Sequence, residues 1–255
     1  MLGLLRQVTG VAVLLILWQA LTLSGLVPQA YFPPPLAVAD AFGDLMRRGE
    51  ILPATGLTLS RALAGLAAAT VIGLAMAILA TRYETLGRAF TPVADLFRSL
   101  PPAAITPVSI FFFGLGWQLY AFVLVFASFW PVYLNAFAAL NAAPTQQLAT
   151  ARIFGYDGWA RLLRVQLPAA LPDTFIGIRL AAAVSLVAAV AAEMLAGRDG
   201  LGYLMSDAAF SLRIPDTFVG LIATMLCGIL MNQIVVVARR SLVGWHETMT
   251  AANRG

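Results

Sequence analysis

Residues 59–80 read LSRALAGLAAATVIGLAMAILA. A helix rises about 1.5 Å per residue, so this stretch spans roughly 33 Å, enough to cross the ~30 Å hydrocarbon core of a bilayer. Gly65, Gly73 and the alanines between them are small residues that let helices approach closely in lipid. Five further apolar runs follow the same logic: Val8–Val27, Ala103–Leu115, Leu119–Leu140, Ile178–Leu195 and Phe218–Val237. The expected fold is an all-α membrane protein of about six transmembrane helices.

Composition agrees with a membrane location. The 255 residues are 60% hydrophobic and 11% charged, against about 25% charged residues in an ordinary soluble domain. All 16 basic residues are arginine. Without lysine the chain lacks the phosphate-binding P-loop of a standard ATPase, and Schiff-base chemistry is excluded. One histidine, His246, and one cysteine, Cys227, argue against a zinc site and forbid an internal disulfide. The scattered arginines, with no basic block, do not read as a nucleic-acid surface. No catalytic cluster is apparent.

The first run is too long for a typical signal-peptide core, and Ser24-Gly25-Leu26-Val27-Pro28 is not an obvious cleavage site, so it reads as a retained helix. Pro33, Pro34 and Pro35 end it. Residues 36–58 alternate charged and apolar positions and read as an amphipathic interfacial segment. Residues 1–58 thus form an N-terminal transmembrane helix plus a periplasmic amphipathic segment, 59–245 a core, and 246–255 a cytoplasmic tail holding His246. Pro107 and Pro131 break the third and fourth runs, and such breaks must be covered by protein or face water.

Six crossings put both termini on one side. Arg6, Arg82, Arg88, Arg98, Arg152, Arg161, Arg164, Arg179, Arg239, Arg240 and Arg254 then share the side of the N-terminus. Arg47, Arg48, Arg61, Arg198 and Arg213 fall opposite. Eleven against five favours cytoplasmic N- and C-termini. The third run is the shortest, and losing it would invert everything after it.

The longest polar stretch, residues 141–178, is therefore cytoplasmic. Its segment 147–180 reads QLATARIFGYDGWARLLRVQLPAALPDTFIGIRL: two short helical pieces around Gly155, then Pro168 and Pro172 before a membrane helix. Its apolar side is buried either against the ends of the protein's own helices or against a soluble partner. Here Ala149-Thr150-Ala151, three residues, Gly155, nine residues, and Val165-Gln166-Leu167-Pro168 resemble the cytoplasmic signature of permease subunits of binding-protein-dependent ATP-binding-cassette importers. That signature is Glu-Ala-Ala, three residues, Gly, nine residues, Ile-x-Leu-Pro. Ala149 stands where the family has Glu. Pro101-Pro102 with Phe113-Gly114-Leu115-Gly116, Pro131 with Asn135, Gly177-Ile-Arg179, and Glu193 with Gly200-Leu-Gly202 look like the sulfonate, nitrate and taurine permease group.

The resemblance implies a five-helix type I importer core with one added N-terminal helix, in a bacterial inner membrane. It implies a non-catalytic subunit working with a second permease copy or paralogue, two ATPase subunits that carry ATP and Mg, and a periplasmic or lipid-anchored binding protein. Alternating access would carry a small nutrient such as a sulfonate, nitrate or taurine. The ATPase-coupling residues it implies are Ala149, Thr150, Ala151, Gly155, Tyr156, Asp157, Trp159, Arg161, Leu167 and Pro168, with residues 156–164 as coupling helix. Tyr156 and Trp159 fill a partner groove or sit as membrane-interface aromatics. Candidates for the translocation path, near the broken helices, are Thr106, Ser109, Ser128, Asn135, Ser185 and Glu193; each also reads as a helix–helix contact. Glu193, a lone acid in lipid, is either functional or paired with Arg198 or the Gly197–Gly202 backbone. The rival class is a stand-alone secondary transporter, which usually carries several buried acids or a histidine.

Overall fold

The computed structural model describes residues 2–28 and 30–252, with side chains from 9 to 243 except 11 and 29. The elements are α1 (Leu2–Leu23), α2 (Pro35–Arg47), α3 (Ile51–Arg82), α4 (Glu84–Phe97), α5 (Pro102–Phe113) and α6 (Trp117–Asn141). They continue with α7 (Thr145–Ile153), α8 (Gly158–Arg161), a π-helical turn (Leu162–Gln166), α9 (Leu167–Ala196), α10 (Leu201–Phe210) and α11 (Ile214–Ala252). No strand occurs among the described residues.

Four helices are long and apolar enough to cross a membrane: α3, α6, the α8–α9 unit and α11. Their register follows from side-chain contacts. Gly65 meets Leu124, Gly73 meets Val132, and Thr81 meets Asn141, a nearly constant offset, so α3 and α6 run parallel. Thr58 meets Glu193 and Ser185 meets Ala62, so α9 runs antiparallel to α3. A Cβ on Gly65 would stand 2.5 Å from Leu124 Cβ. The glycines therefore allow the close approach expected of them. One end of the bundle holds α2, α10 and the start of α3, and is called the upper end; α7 and α8 lie at the lower end.

Parallel α3 and α6 require a return crossing between residues 83 and 116. The run Ala103–Leu115 does not make it alone. α5 has 12 residues, about 18 Å of helix. The return is shared with α4, and the two helices bend by 101° across Arg98–Pro101. Phe90 and Phe97 of α4 stack on Trp130 of α6 at 6.1 and 5.3 Å, and Phe113 of α5 meets Phe122 at 5.0 Å. With the bent pair counted as one, five spans result among the described residues; the described apolar part of α1, Ala12–Leu23, is shorter than a span.

Three boundaries differ from the sequence expectation. α3 begins at Ile51, so residues 51–58 belong to a span and the amphipathic segment is α2 alone. α2 buries Val38, Ala41 and Leu45 on one face, with Asp40 and Asp44 exposed. The fifth span does not start at Ile178: helix continues from Gly158 to Ala196. α11 runs through His246 to Ala252, where a tail was expected. Arg61 and Arg179 lie inside α3 and α9 rather than in loops.

α9 is the hub. It packs against α3, α5, α6 and α11, and buries Ala181, Ala182, Leu186, Ala188, Ala189 and Ala192 among them. Gly177 fits against Asn135 and the Pro131 carbonyl of α6, where a Cβ would come within 2.6 Å of Asn135 Cβ. A second core under α4 is aromatic, built on Trp130 and Tyr133.

Candidate functional site

At the lower end, α7 closes on Gly155. The Gly155 N–H donates to the Arg152 carbonyl at 3.0 Å and the Tyr156 N–H to the Ala151 carbonyl at 2.8 Å, the paired bonds of a Schellman cap. Gly155 has φ +74°, the left-handed conformation that the cap demands and glycine takes without strain. Ala149 and Thr150 are exposed and Ala151 is buried; the Thr150 hydroxyl donates to the Gln146 carbonyl. Asp157 starts α8 through its backbone, without a side-chain cap.

The expected coupling helix is not a separate piece. α8 passes through the π turn, where the Leu167 N–H reaches back to the Leu162 carbonyl, and enters α9 without a break. Pro168 lacks the N–H that would bond Arg164, and the wide turn just before it accommodates that loss. Leu167 and Pro168 are half-buried, and the buried Gln166 amide donates to the Leu140 carbonyl of α6 at 3.2 Å. Trp159 meets the Tyr83 ring at 6.4 Å and Arg82 lies over it; Arg164 lies over Tyr156. Arg161 Nε is buried without a partner among the described residues. The sequence reading missed Ile153 and Phe154, which are 84% and 74% exposed at the tip of this end. The available signal was an apolar pair ending a short helix immediately before Gly155.

At the upper end, Glu193 is 0% exposed and fully engaged. Its carboxylate accepts the Thr58 hydroxyl at 2.8 Å, Arg61 Nη1 at 2.9 Å and the Gly202 N–H at 3.0 Å. Thr58 Oγ1 also accepts the Leu201 N–H at 2.8 Å. Arg61 continues to Asp199 at 2.7 Å and lies over the Tyr120 ring at 3.9 Å. Gly200, at φ +93°, turns the loop against the Glu193 carboxylate, leaving no room for a Cβ. Glu193 caps the loop as one expectation had it. Its ion-pair partner is Arg61, nearly three turns into α3, and not Arg198.

The remaining path candidates lie between helices of this one chain. Thr106, Ser109 and Asn135 bond carbonyls of their own helices at Pro102, Ile105 and Pro131. Ser185 bonds the Ala62 carbonyl of α3 at 2.8 Å. The Ser128 hydroxyl is buried with no hydrogen-bond partner among the described residues.

Comparison with known proteins gives this architecture a family. The model of the family "Binding-protein-dependent transport system inner membrane component" matches residues 69–244. The chain is 27% identical to the putative aliphatic sulfonates transport permease protein SsuC of Bacillus subtilis (strain 168), over 93% of this chain and 86% of that protein. It is 33% identical to the riboflavin transport system permease protein RibX of Chloroflexus aurantiacus (strain ATCC 29366 / DSM 635 / J-10-fl), over 92% and 88%. It is 27% identical to the taurine transport system permease protein TauC of Escherichia coli (strain K12), over 94% and 91%. Among solved structures, an inward-facing MetNI methionine ABC transporter chain superposes with a TM-score of 0.68 at 18% identity, covering 77% of this chain and 97% of that one, which shows a shared fold. The chain belongs to the family of inner membrane components of binding-protein-dependent transport systems, as a non-catalytic, multi-pass permease subunit of an ATP-driven ABC importer.

Proposed function

We propose that two copies of this chain enclose the translocation path for a small nutrient, a sulfonate, taurine or similar compound. Residues 141–178 dock each copy on an ATPase subunit that holds ATP and Mg. The observation that supports this most is the pair Ile153–Phe154. Two large apolar side chains stand in the open at the end of a bundle, beside the Gly155 cap and one turn ahead of the helix that leads into the hub. Exposed apolar groups of this size outside the lipid are characteristic of a protein interface. In this reading Phe154 and Ile153 enter a groove on the ATPase, and Ala149, Thr150, Asp157 and Trp159 border it. Gly155, Leu167 and Pro168 set the geometry, while Tyr156 and Arg161 brace the segment.

The lower end is cytoplasmic in this reading, with both termini on that side. Moving Arg61 and Arg179 out of the loop tally leaves ten arginines against four, still favouring that orientation. The path candidates act as supports for the broken helices, with Ser128 the one hydroxyl open to a further bond. Pull-down of tagged chain in mild detergent tests the docking. Wild type retains an ATPase subunit, and Phe154→Ser and Gly155→Glu lose it while keeping their thermal unfolding within a few degrees. Retention by both variants places the docking surface elsewhere.

A further inference from the structure

Arg179 stands inside a span. It lies 12 residues past the start of α9 and 17 before its end, about 18 Å and 26 Å of helix. Its partner Asn232 sits within the apolar α11, between Leu221–Met231 and Ile234–Ala238. Arg179 Nε donates to Asn232 Oδ1 at 2.7 Å, and the side chain is otherwise exposed. No carboxylate lies within ion-pair distance of it among the described residues. Arg61, inside α3, is neutralised by Glu193 and Asp199. Arg179 is held by a neutral amide instead.

The side chain does not reach down toward the lower membrane surface. Gly228 of α11 lies against Leu186 of α9. The two helices are antiparallel, so Asn232 stands roughly level with residue 182, above the Arg179 backbone. The guanidinium is thus drawn up along α9, away from the 141–178 segment. Exposed beside it are Ile176, Leu180, Ala183 and Val187, the one stripe of α9 that α3, α5, α6 and α11 leave open. A bare guanidinium on a lipid-facing stripe would be costly, so this face meets water or a second copy.

We propose that Arg179, oriented by Asn232, is an anion-binding station on the translocation path, taking the sulfonate or other oxyanion group of the cargo. This rests on the importer reading above. With Nε fixed, the planar Nη fork is left to bind an oxyanion bidentately. In a symmetric pair the station is doubled, one fork from each copy. It identifies the cargo class as anionic. A lipid headgroup phosphate is the other source of the same chemistry.

The test uses the transporter assembled with its ATPase in phosphatidylcholine nanodiscs, with Cys227→Ala and Ala183→Cys. Ala183 is one turn above Arg179 on the same stripe. Its labelling is timed with the anionic sulfonatoethyl and the cationic trimethylammonium-ethyl methanethiosulfonates. The expected result is faster anionic labelling, with the anionic-to-cationic ratio falling roughly tenfold in Arg179→Gln and holding in Arg179→Lys. Excess ethanesulfonate slows anionic labelling unless Arg179 is replaced. An unchanged ratio in Arg179→Gln, no labelling by either reagent, or no protection by ethanesulfonate overturns the inference. A ratio that collapses when phosphatidylglycerol is added assigns the fork to lipid and also overturns it. If instead the wild-type chain assembles with no ATPase, the importer reading falls and the inference with it.

Discussion

A buried carboxylate is tolerable only while every lone pair has work. Glu193 has an arginine, a hydroxyl and a backbone N–H, and the same contacts tie the α9–α10 loop to α3. Glu193→Ala leaves Arg61 with only Asp199, which is half exposed, and strands Thr58 and the Gly202 N–H. Removing one partner of such a buried pair costs about 3–5 kcal/mol, and Glu193→Gln, which keeps hydrogen-bonding capacity, costs less. Thermal unfolding in detergent measures the order: wild type, then Gln, then Ala. Gly155 makes a contrasting case, because a Cβ there meets nothing within 4 Å and only the backbone objects. Gly155→Ala therefore costs about 1–2 kcal/mol of left-handed strain, and Gly155→Asn costs less, read as shifts of the same transition. A lone acid in an apolar run was legible from sequence as a residue needing a partner. Which partner was not legible, because Arg61 and Glu193 are 132 positions apart and a basic residue near a span end reads first as a topology marker.

Elements were legible where apolar length alone specifies them, as in α3, α6 and α11. They were not legible where a helix begins in polar sequence, since periodicity does not separate an interfacial turn from the first turns of a span. That is why α3 starts before Leu59, and why the helix of the fifth span begins at Gly158 and runs through Pro168 and Pro172. The third crossing was legible as a weakness and resolves into two helices meeting at a sharp bend over Pro101 and Pro102. Helix packing itself followed the small residues. Gly65 sits so close to Leu124 that Gly65→Val forces the α3–α6 pair apart, at about 1–3 kcal/mol. Combining it with Leu124→Ala returns part of that cost, so the double-mutant cycle shows strong non-additivity. Additive losses in unfolding free energy would mean that α3 and α6 do not share this contact.

Across the whole molecule, the exposed tip beside α7 and the Glu193 network at the other end are joined by one unbroken helical path, Gly158–Ala196, about 58 Å long. A displacement of the lower segment would therefore reach Glu193, and through it Arg61 and the α10 loop, by a single element that enters the bundle beside the Gln166–Leu140 bond. The π turn is the one place where the helical bonding along this path widens. Weakening it with Leu163→Gly and Val165→Gly adds about 1 kcal/mol of helix penalty per substitution while leaving Ile153, Phe154 and the Gly155 cap untouched. The doubly substituted permease is expected to retain its ATPase and basal ATP hydrolysis, but to lose several-fold of the stimulation given by the binding protein. Hydrolysis assays in proteoliposomes separate the two quantities. Undiminished stimulation would mean that the signal travels instead from α8 directly to the lower end of α3, where Trp159 meets Tyr83, and that the helix beyond the π turn is only a scaffold.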